Sequence, residues 1–256
     1  MSRVVLKAVM RAVLAPLLLL ALWQAAAMAL KMEELPTAWE ALRTVPVILG
    51  NPADVVSISA SLRRMALGYG LGVLLAIPMG LAMGRSKALA GFMNPLTSLV
   101  YPVPKAALMP IIMLWVGVGD LSKVLVIFLG VSLPLLYHSY QGALQVDDKL
   151  IWSARAMGMG PVARLLRVVL PAALPEVLLG GRVALSLALI TMVSSEMIAR
   201  QNGAGDLLFN ALDMAVYTDV YAMIVLIGLM GLLLDTLFEQ LRRRLTHWSD
   251  TLQNAA

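Results

Sequence analysis

The 256-residue chain is 60% hydrophobic and only 14% charged, with a mean hydropathy of +0.84, well outside the ordinary globular balance of about 45–50% apolar and 25% charged residues. It reads as a membrane protein, long enough for several spans of about 20 residues and too short to add a large soluble domain, which excludes a nucleotide-binding module of its own. The absence of cysteine excludes disulfides and thiolate chemistry, and the net charge of +5 reads as basic loops on the cytoplasmic side rather than as a nucleic-acid surface.

Six apolar windows follow one another along the chain. The first, Ala12 to Leu30, comes after Arg3, Lys7 and Arg11; it is longer than a signal-peptide core of about 7–15 residues and predicts an uncleaved span. An outer loop with Glu33, Glu34, Glu40 and Asp54 is expected to lie along the interface. The second window, Met65 to Met83, carries no charge. The third, Leu96 to Val118, contains Pro102, Pro104, Pro110 and Lys105, so a broken or kinked helix is expected. Val124 to Ala143, Val177 to Ile198 and Val220 to Phe238 complete the set, with Arg182 and Glu196 near the ends of the fifth. The expected class is all-α and polytopic, with about six transmembrane helices. We divide it into an N-terminal span and outer loop (1–60), a core (61–245) with a cytoplasmic loop at 147–175, and a tail (246–256).

Loop charge sets the orientation. With both termini in the cytoplasm, Arg3, Lys7, Arg11, Arg85, Lys87, Lys149, Arg155, Arg164, Arg167, Arg242, Arg243 and Arg244 face inward. Lys31, Arg43, Arg63, Arg64, Lys123 and Arg200 face outward. That distribution obeys the positive-inside rule, although Arg63 and Arg64 run against it.

The basic loop falls between spans four and five. Gly160 and Pro161 start a helix with proline at its tolerated first position, and Val162, Leu165, Leu166 and Val169 recur at helical spacing opposite Arg164 and Arg167. Lys149 to Met157 forms a second short helix, and Gly158 and Gly160 permit a sharp turn between the two. The unit is either a protruding knob or an amphipathic connector lying on the membrane surface.

These residues resemble a family. Importer permeases of the ATP-binding cassette (ABC) class carry a cytoplasmic loop of the form E-A-A, three residues, G, nine residues, I, one residue, L-P. Here Trp152, Ser153 and Ala154 are followed at that spacing by Gly158, Val168 and Leu170-Pro171. Trp152 departs from the glutamate, Ser153 from the first alanine and Val168 from the isoleucine. The segments Ser61 to Ser86, Tyr101 to Gly130 and Pro171 to Met197 are similar to the subfamily that imports sulfonates, taurine, nitrate and thiamine precursors. The resemblance implies the type I importer-permease (MetI-like) fold in the inner membrane. The loop would be a coupling helix docking on a separate ATPase through Trp152, Ser153, Ala154, Gly158, Arg164, Leu170 and Pro171. It also implies an extracytoplasmic solute-binding protein, a second permease copy, and ATP consumed only by the partner, with no cofactor or metal on this chain.

The broken third span is the candidate translocation path, because irregular backbone at membrane depth is tolerated where protein or a water-filled cavity receives it. Tyr101, Lys105, Met109, Thr191, Ser194, Ser195 and Glu196 are its candidate lining. Lys105 either attracts a small anionic solute or serves structure. The hydroxyls either face the path or bond back to their own helix, and Glu196 either contacts a ligand or pairs internally. The glycines at 68, 70, 72, 80, 84, 180 and 181 read as close helix packing, since no Walker ending follows them. The scattered methionines read as interior filling. A rival reading is an intramembrane enzyme built on His138, although no G-x-S-x-G or H-E-x-x-H occurs. Another is a channel or scaffold that needs no ATPase.

Overall fold

The computed structural model describes residues 3–248, with side chains from residue 14 onward. Ten helices and no strand are found among the described residues. Helix α1 (Arg3–Leu30) is followed by α2 (Ala38–Gly50), α3 (Pro52–Arg85) and α4 (Lys87–Val100). A 3₁₀ turn (Lys105–Leu108) leads into α5 (Met109–Val116), then α6 (Asp120–Leu144) and α7 (Asp148–Ala156). Helix α8 (Pro161–Ala199) contains one π-helical turn, Leu165–Val169; α9 (Ala204–Asp213) and α10 (Tyr217–Leu245) complete the chain.

The six apolar windows map onto α1, α3, the α4/α5 pair, α6, α8 and α10. Helices α3, α6, α8 and α10 are each long and apolar enough to cross a membrane, and the α4/α5 pair, bent by 83°, makes a broken fifth. The apolar stretch described within α1 is Leu14–Leu30. The third window begins earlier than expected, at Lys87, where Ser86 Oγ accepts from Leu89 N at 3.3 Å. Its break falls at residues 101–104, and Pro110 sits at the start of α5, where a missing N–H is harmless.

The outer segment expected to be a loop is helical. Thr37 and Glu40 form a reciprocal capping box at the start of α2. Asn51 Oδ1 accepts from Ala53 N at 3.1 Å to start α3 one residue after α2 ends. Ile48 and Ile58 pack there with Ala204, Ala222, Met223 and Leu226. Trp23 of α1 donates to Pro36 O at 3.0 Å and lies with its ring 5.4 Å from that of Tyr221.

A stripe of small residues sets the centre of the bundle. Gly68, Gly72, Ala76, Gly80 and Gly84 recur every fourth residue on α3, so they share one helix face. Helix α6 lies parallel against that face: a Cβ on Gly68 would stand 2.7 Å from Ile127 Cγ2, and one on Gly84 2.5 Å from Ala143 Cβ. Gly70, off the stripe, faces open space. Helix α8 runs antiparallel to both, with Gly180 against His138 and Gly181 against Phe238 and Tyr69. Met65, Ile127, Val131, Leu135, Ala184, Ala188 and Met192 form the core between these three helices. The methionines divide: Met65, Met83, Met109, Met192 and Met223 are buried, whereas Met28, Met32, Met157 and Met214 are exposed.

Candidate functional site

Two ends and a middle carry the polar side chains. At the end where α3 and α6 finish, Asp147 caps α7 by accepting from Lys149 N at 2.8 Å. Arg85 donates to Asp148 Oδ1 at 2.7 Å and to Ala143 O at 3.3 Å, which ties the new helix to α3 and α6. Gly158 adopts φ +78°, and its N–H bonds Arg155 O while Met159 N–H bonds Ala154 O, both at 3.0 Å. This is a Schellman termination, and it requires glycine or an equivalent left-handed residue at that position. Gly160 has an ordinary φ of −67° and serves as the N-cap ahead of Pro161, so the turn depends on Gly158 alone.

The apolar face expected on the second helix splits. Val169 is buried and packs with Ile151, Val146 and Ala173, joined by Leu165, whereas Val162 and Leu166 are exposed, Val162 at 68%. The π turn, in which Leu170 N–H bonds Leu165 O five residues back, takes up an extra residue per turn and separates residues that an α spacing would align. With Trp152 exposed at 63% and Met157 also exposed, the knob shows an apolar surface of Trp152, Met157, Val162 and Leu166. Ser153 is exposed beside it, Ala154 is buried beneath it, Arg164 lines a small cleft with Arg85 and Arg155, and Leu170-Pro171 lead into the body of α8.

In the middle, a pocket of about 490 Å³ opens between the broken span, α6 and α8. It gathers Tyr101, Lys105, Thr191 and Ser194, four of the expected path residues, together with Tyr137 and His138. A second pocket of about 560 Å³, lined by Asn94, Thr97, Ser98 and Tyr140, shares the wall formed by Tyr101, Leu133 and Tyr137. Met109, Ser195 and Glu196 lie on neither. Met109 packs with Ile112 and Val126, and Ser195 Oγ donates to Met192 O of its own helix at 2.8 Å.

Lys105 has a structural duty. Its Nζ donates to Val100 O (2.6 Å), Tyr101 O (3.1 Å) and Val103 O (2.7 Å), capping the carbonyls left open where α4 breaks. Thr191 Oγ1 donates to Leu187 O at 2.7 Å. His138 Nδ1 stands 2.8 Å from Glu176 Oε1, and no serine or threonine hydroxyl bonds the ring among the described residues, so the nucleophile–base pair that an enzyme reading needs is missing.

At the opposite end lies a charge cluster that sequence reasoning did not assemble. Arg64 and Glu196 are almost fully buried, at 1% and 0% exposure. Arg64 donates to Glu196 Oε1 (2.8 Å), Asp120 Oδ1 (2.6 Å), Asn202 O (3.1 Å) and Asn202 Oδ1. The second Glu196 oxygen accepts from Ser61 Oγ (2.8 Å) and Gly205 N (3.1 Å). Lys123, also buried, donates to Asn202 O at 3.0 Å. Arg63 pairs with Asp120, and Arg200 with Asp213. Arg63 and Arg64, which ran against the expected charge distribution, are thus neutralised locally. Intramembrane charges facing a bundle interior are the available signal, and Arg64, Lys123 and Glu196 carried it separately.

The family described as "Binding-protein-dependent transport system inner membrane component" matches residues 68–247. A probable ABC transporter permease protein of Brucella abortus (strain 2308) is 35% identical over 219 residues, which are 84% of this chain and 86% of that protein. The taurine transport system permease protein TauC of Escherichia coli (strain K12) is 35% identical over 196 residues, 77% of this chain and 71% of that one. Among solved structures, a chain of the MetNI methionine ABC transporter in an inward-facing conformation superposes with a TM-score of 0.65 at 18% identity, covering 73% of this chain and 93% of that chain. That likeness is one of fold.

Proposed function

Since the chain belongs to the binding-protein-dependent transport system inner membrane component family, it is the multi-pass inner-membrane permease subunit of an ABC importer, and we propose that it works as a symmetric pair importing a small oxyanionic solute of the sulfonate type. As in such systems, ATP is hydrolysed by a partner ATPase and solute arrives on a binding protein; the permease makes and breaks no covalent bond.

The observation that carries the coupling assignment is the exposed apolar surface on a fixed two-helix knob. Trp152, Met157, Val162 and Leu166 stand in solvent on a unit anchored by Arg85, Asp148 and the Gly158 turn. A cluster of this kind at a charged membrane end fits a protein partner better than water or lipid headgroups. Ser153 gives close approach, Ala154 packs beneath it, Arg164 flanks the contact, and Leu170-Pro171 transmit it into α8. This end faces the cytoplasm in our reading, with both termini on the same side. The core we assign to residues 61–245 holds the path.

The open side of the two pockets supports pairing. Tyr101, Val103 and Tyr137 of their lining are exposed, so a second copy would close the passage. Taurine transport is the property of a relative 35% identical, and the lining hydroxyls of Tyr101, Tyr137 and Ser194 suit the same solute chemistry. Removal of the knob surface, Trp152→Ala with Leu166→Ser, tests the assignment. A co-purified ATPase should be lost while the thermal midpoint of the permease holds, together with uptake of radiolabelled taurine. Full retention of the ATPase and of uptake would refute it.

A further inference from the structure

The pocket between the broken span, α6 and α8 is rich in hydrogen-bond donors. Tyr101, Tyr137, Ser194, Lys105 and His138 line it, and no acidic side chain does. Lys105, the obvious cation, has spent its ammonium on three carbonyls. The tyrosine and Ser194 hydroxyls have no hydrogen-bond partner among the described residues, and neither has His138 Nε2. The nearest carboxylate, Glu176, is directed to His138 Nδ1 at 2.8 Å rather than to the pocket. An ionised carboxylate only accepts, so Nδ1 carries the proton and Nε2 is the nitrogen left for a ligand. Gly180 lets α8 approach closely here: an added Cβ would stand 2.4 Å from His138 Cβ.

We propose that His138, held at Nδ1 by Glu176, is the solute-contacting and specificity-determining side chain of the path, presenting Nε2 to the head group of the solute. With Nδ1–H given to Glu176, Nε2 is the ring nitrogen left to meet that group. Tyr101, Tyr137 and Ser194 add neutral donors around the same head. Glu176 is a positioning residue: it fixes the tautomer and the ring plane and does not touch solute. The inference rests on the permease reading above and deepens it by naming the contact.

The chain has two histidines, His138 and His247, so protein labelled with ¹⁵N-histidine reports both ring systems directly. In the transporter assembled with its own ATPase and binding protein, addition of taurine should shift the His138 Nε2 resonance and leave His247 in place. In cells expressing the same complex, His138→Gln should raise the half-saturating taurine concentration about 10–100-fold, the loss of one charge-assisted hydrogen bond, with little change in maximal rate. Glu176→Gln should raise it less, because the ring keeps an acceptor at Nδ1. If wild-type uptake is intact and both the Nε2 resonance and the half-saturating concentrations stay unmoved, the inference falls and the permease assignment stands. If the wild-type complex imports no taurine or other sulfonate at all, the solute reading itself has failed and this inference with it. A His138→Gln protein that does not fold leaves the wild-type resonance as the deciding observation.

Discussion

The buried pair Arg64 and Glu196 permits the most quantitative test of the structure. Arg64→Met would leave the Glu196 carboxylate in a fully buried site with only the Ser61 hydroxyl and the Gly205 N–H as partners. Breaking a buried pair from one side costs about 3–5 kcal/mol, since a charge is stranded away from water. For a chain of this size each kcal/mol corresponds to roughly 2–4 °C in the thermal midpoint, so a fall of roughly 6–20 °C is expected. Glu196→Gln keeps the shape and the neutral contacts, and Arg64 keeps Asp120 and Asn202; a smaller loss of about 1.5–3 kcal/mol follows, that of one charged hydrogen bond. The double variant should be less destabilised than the sum of the two, because no unpaired charge remains at the Glu196 position. Detergent-solubilised protein followed by fluorescence-detected size exclusion after heating gives all four midpoints. Additive losses, or an Arg64→Met midpoint within 1–2 °C of wild type, would show that the pair is not formed and that α3 and α8 are not tied at that end.

Three further outcomes follow from single residues. Lys105→Met should lower stability by about 1–3 kcal/mol through loss of the α4 carbonyl cap, and Lys105→Arg should restore stability and uptake together; uptake lost in a fully stable Lys105→Met protein would instead make the charge a solute contact. Gly158→Ala meets no neighbouring atom but must hold φ +78°, a strain of about 1–2 kcal/mol confined to the knob. Its expected signature is an ATPase rate no longer stimulated by loaded binding protein, with the permease midpoint lowered by no more than roughly 2–8 °C. Glu40 has its pKa held below the ordinary value of 4.5, first by the Thr37 N–H and then by the Thr37 hydroxyl. A depressed folded value means that the cap's contribution is present above the unfolded pKa and lost as pH falls through the folded one. Amide exchange at the start of α2 should therefore accelerate below about pH 4.5, and a Glu40→Gln protein should show no such acid step.

What the sequence made legible was whatever depends on local spacing. Apolar windows long enough to cross, the prolines that break the third of them, and the small residues every fourth position on α3 are all set by neighbours within a few turns. The Gly158 turn was legible for the same reason, since a Schellman end is a five-residue event. The helical outer segment was not legible although Thr37 and Glu40 carry the capping-box spacing, because a capping box is a short local signal and the segment lacks the long apolar run of a span. The charge cluster was missed for a different reason. Arg64, Lys123, Glu196 and Asn202 lie on α3, α6 and α8 and in the link before α9, and only parallel packing of α3 with α6, and antiparallel packing of α8, brings them to one level. Glu196 was accordingly expected on the path, and the structure buries it 132 residues away in sequence from its partner Arg64. The phase change at Leu165–Val169 was likewise invisible, since a π turn is set by what each face must bury and not by the residues within it.

These placements bear on how motion could pass through the molecule. The α3, α6 and α8 bundle is locked by backbone-close glycines along its length, by the Arg64 cluster at one end and by the Arg85–Asp148 bond at the other. Close-packed interfaces of this kind move as a unit or not at all. The α4/α5 pair is different. Its proline-rich break is held by one lysine on three carbonyls, its α5 half packs on α6 through Met109, Ile112 and Val126, and its two helices diverge by 83° beside both pockets. A push at the knob enters α8 directly through Val169 and Leu170, so it should turn the bundle as a body and open or close the pockets against the broken span. Cross-linking cysteines placed at Thr97 and Tyr140, which line the second pocket from α4 and α6, should trap transport, whereas cysteines at Met65 and Met192, which share the core between α3 and α8, should cross-link without stopping it. Arrest by the second pair and indifference to the first would mean that the bundle itself deforms and that the broken span is passive.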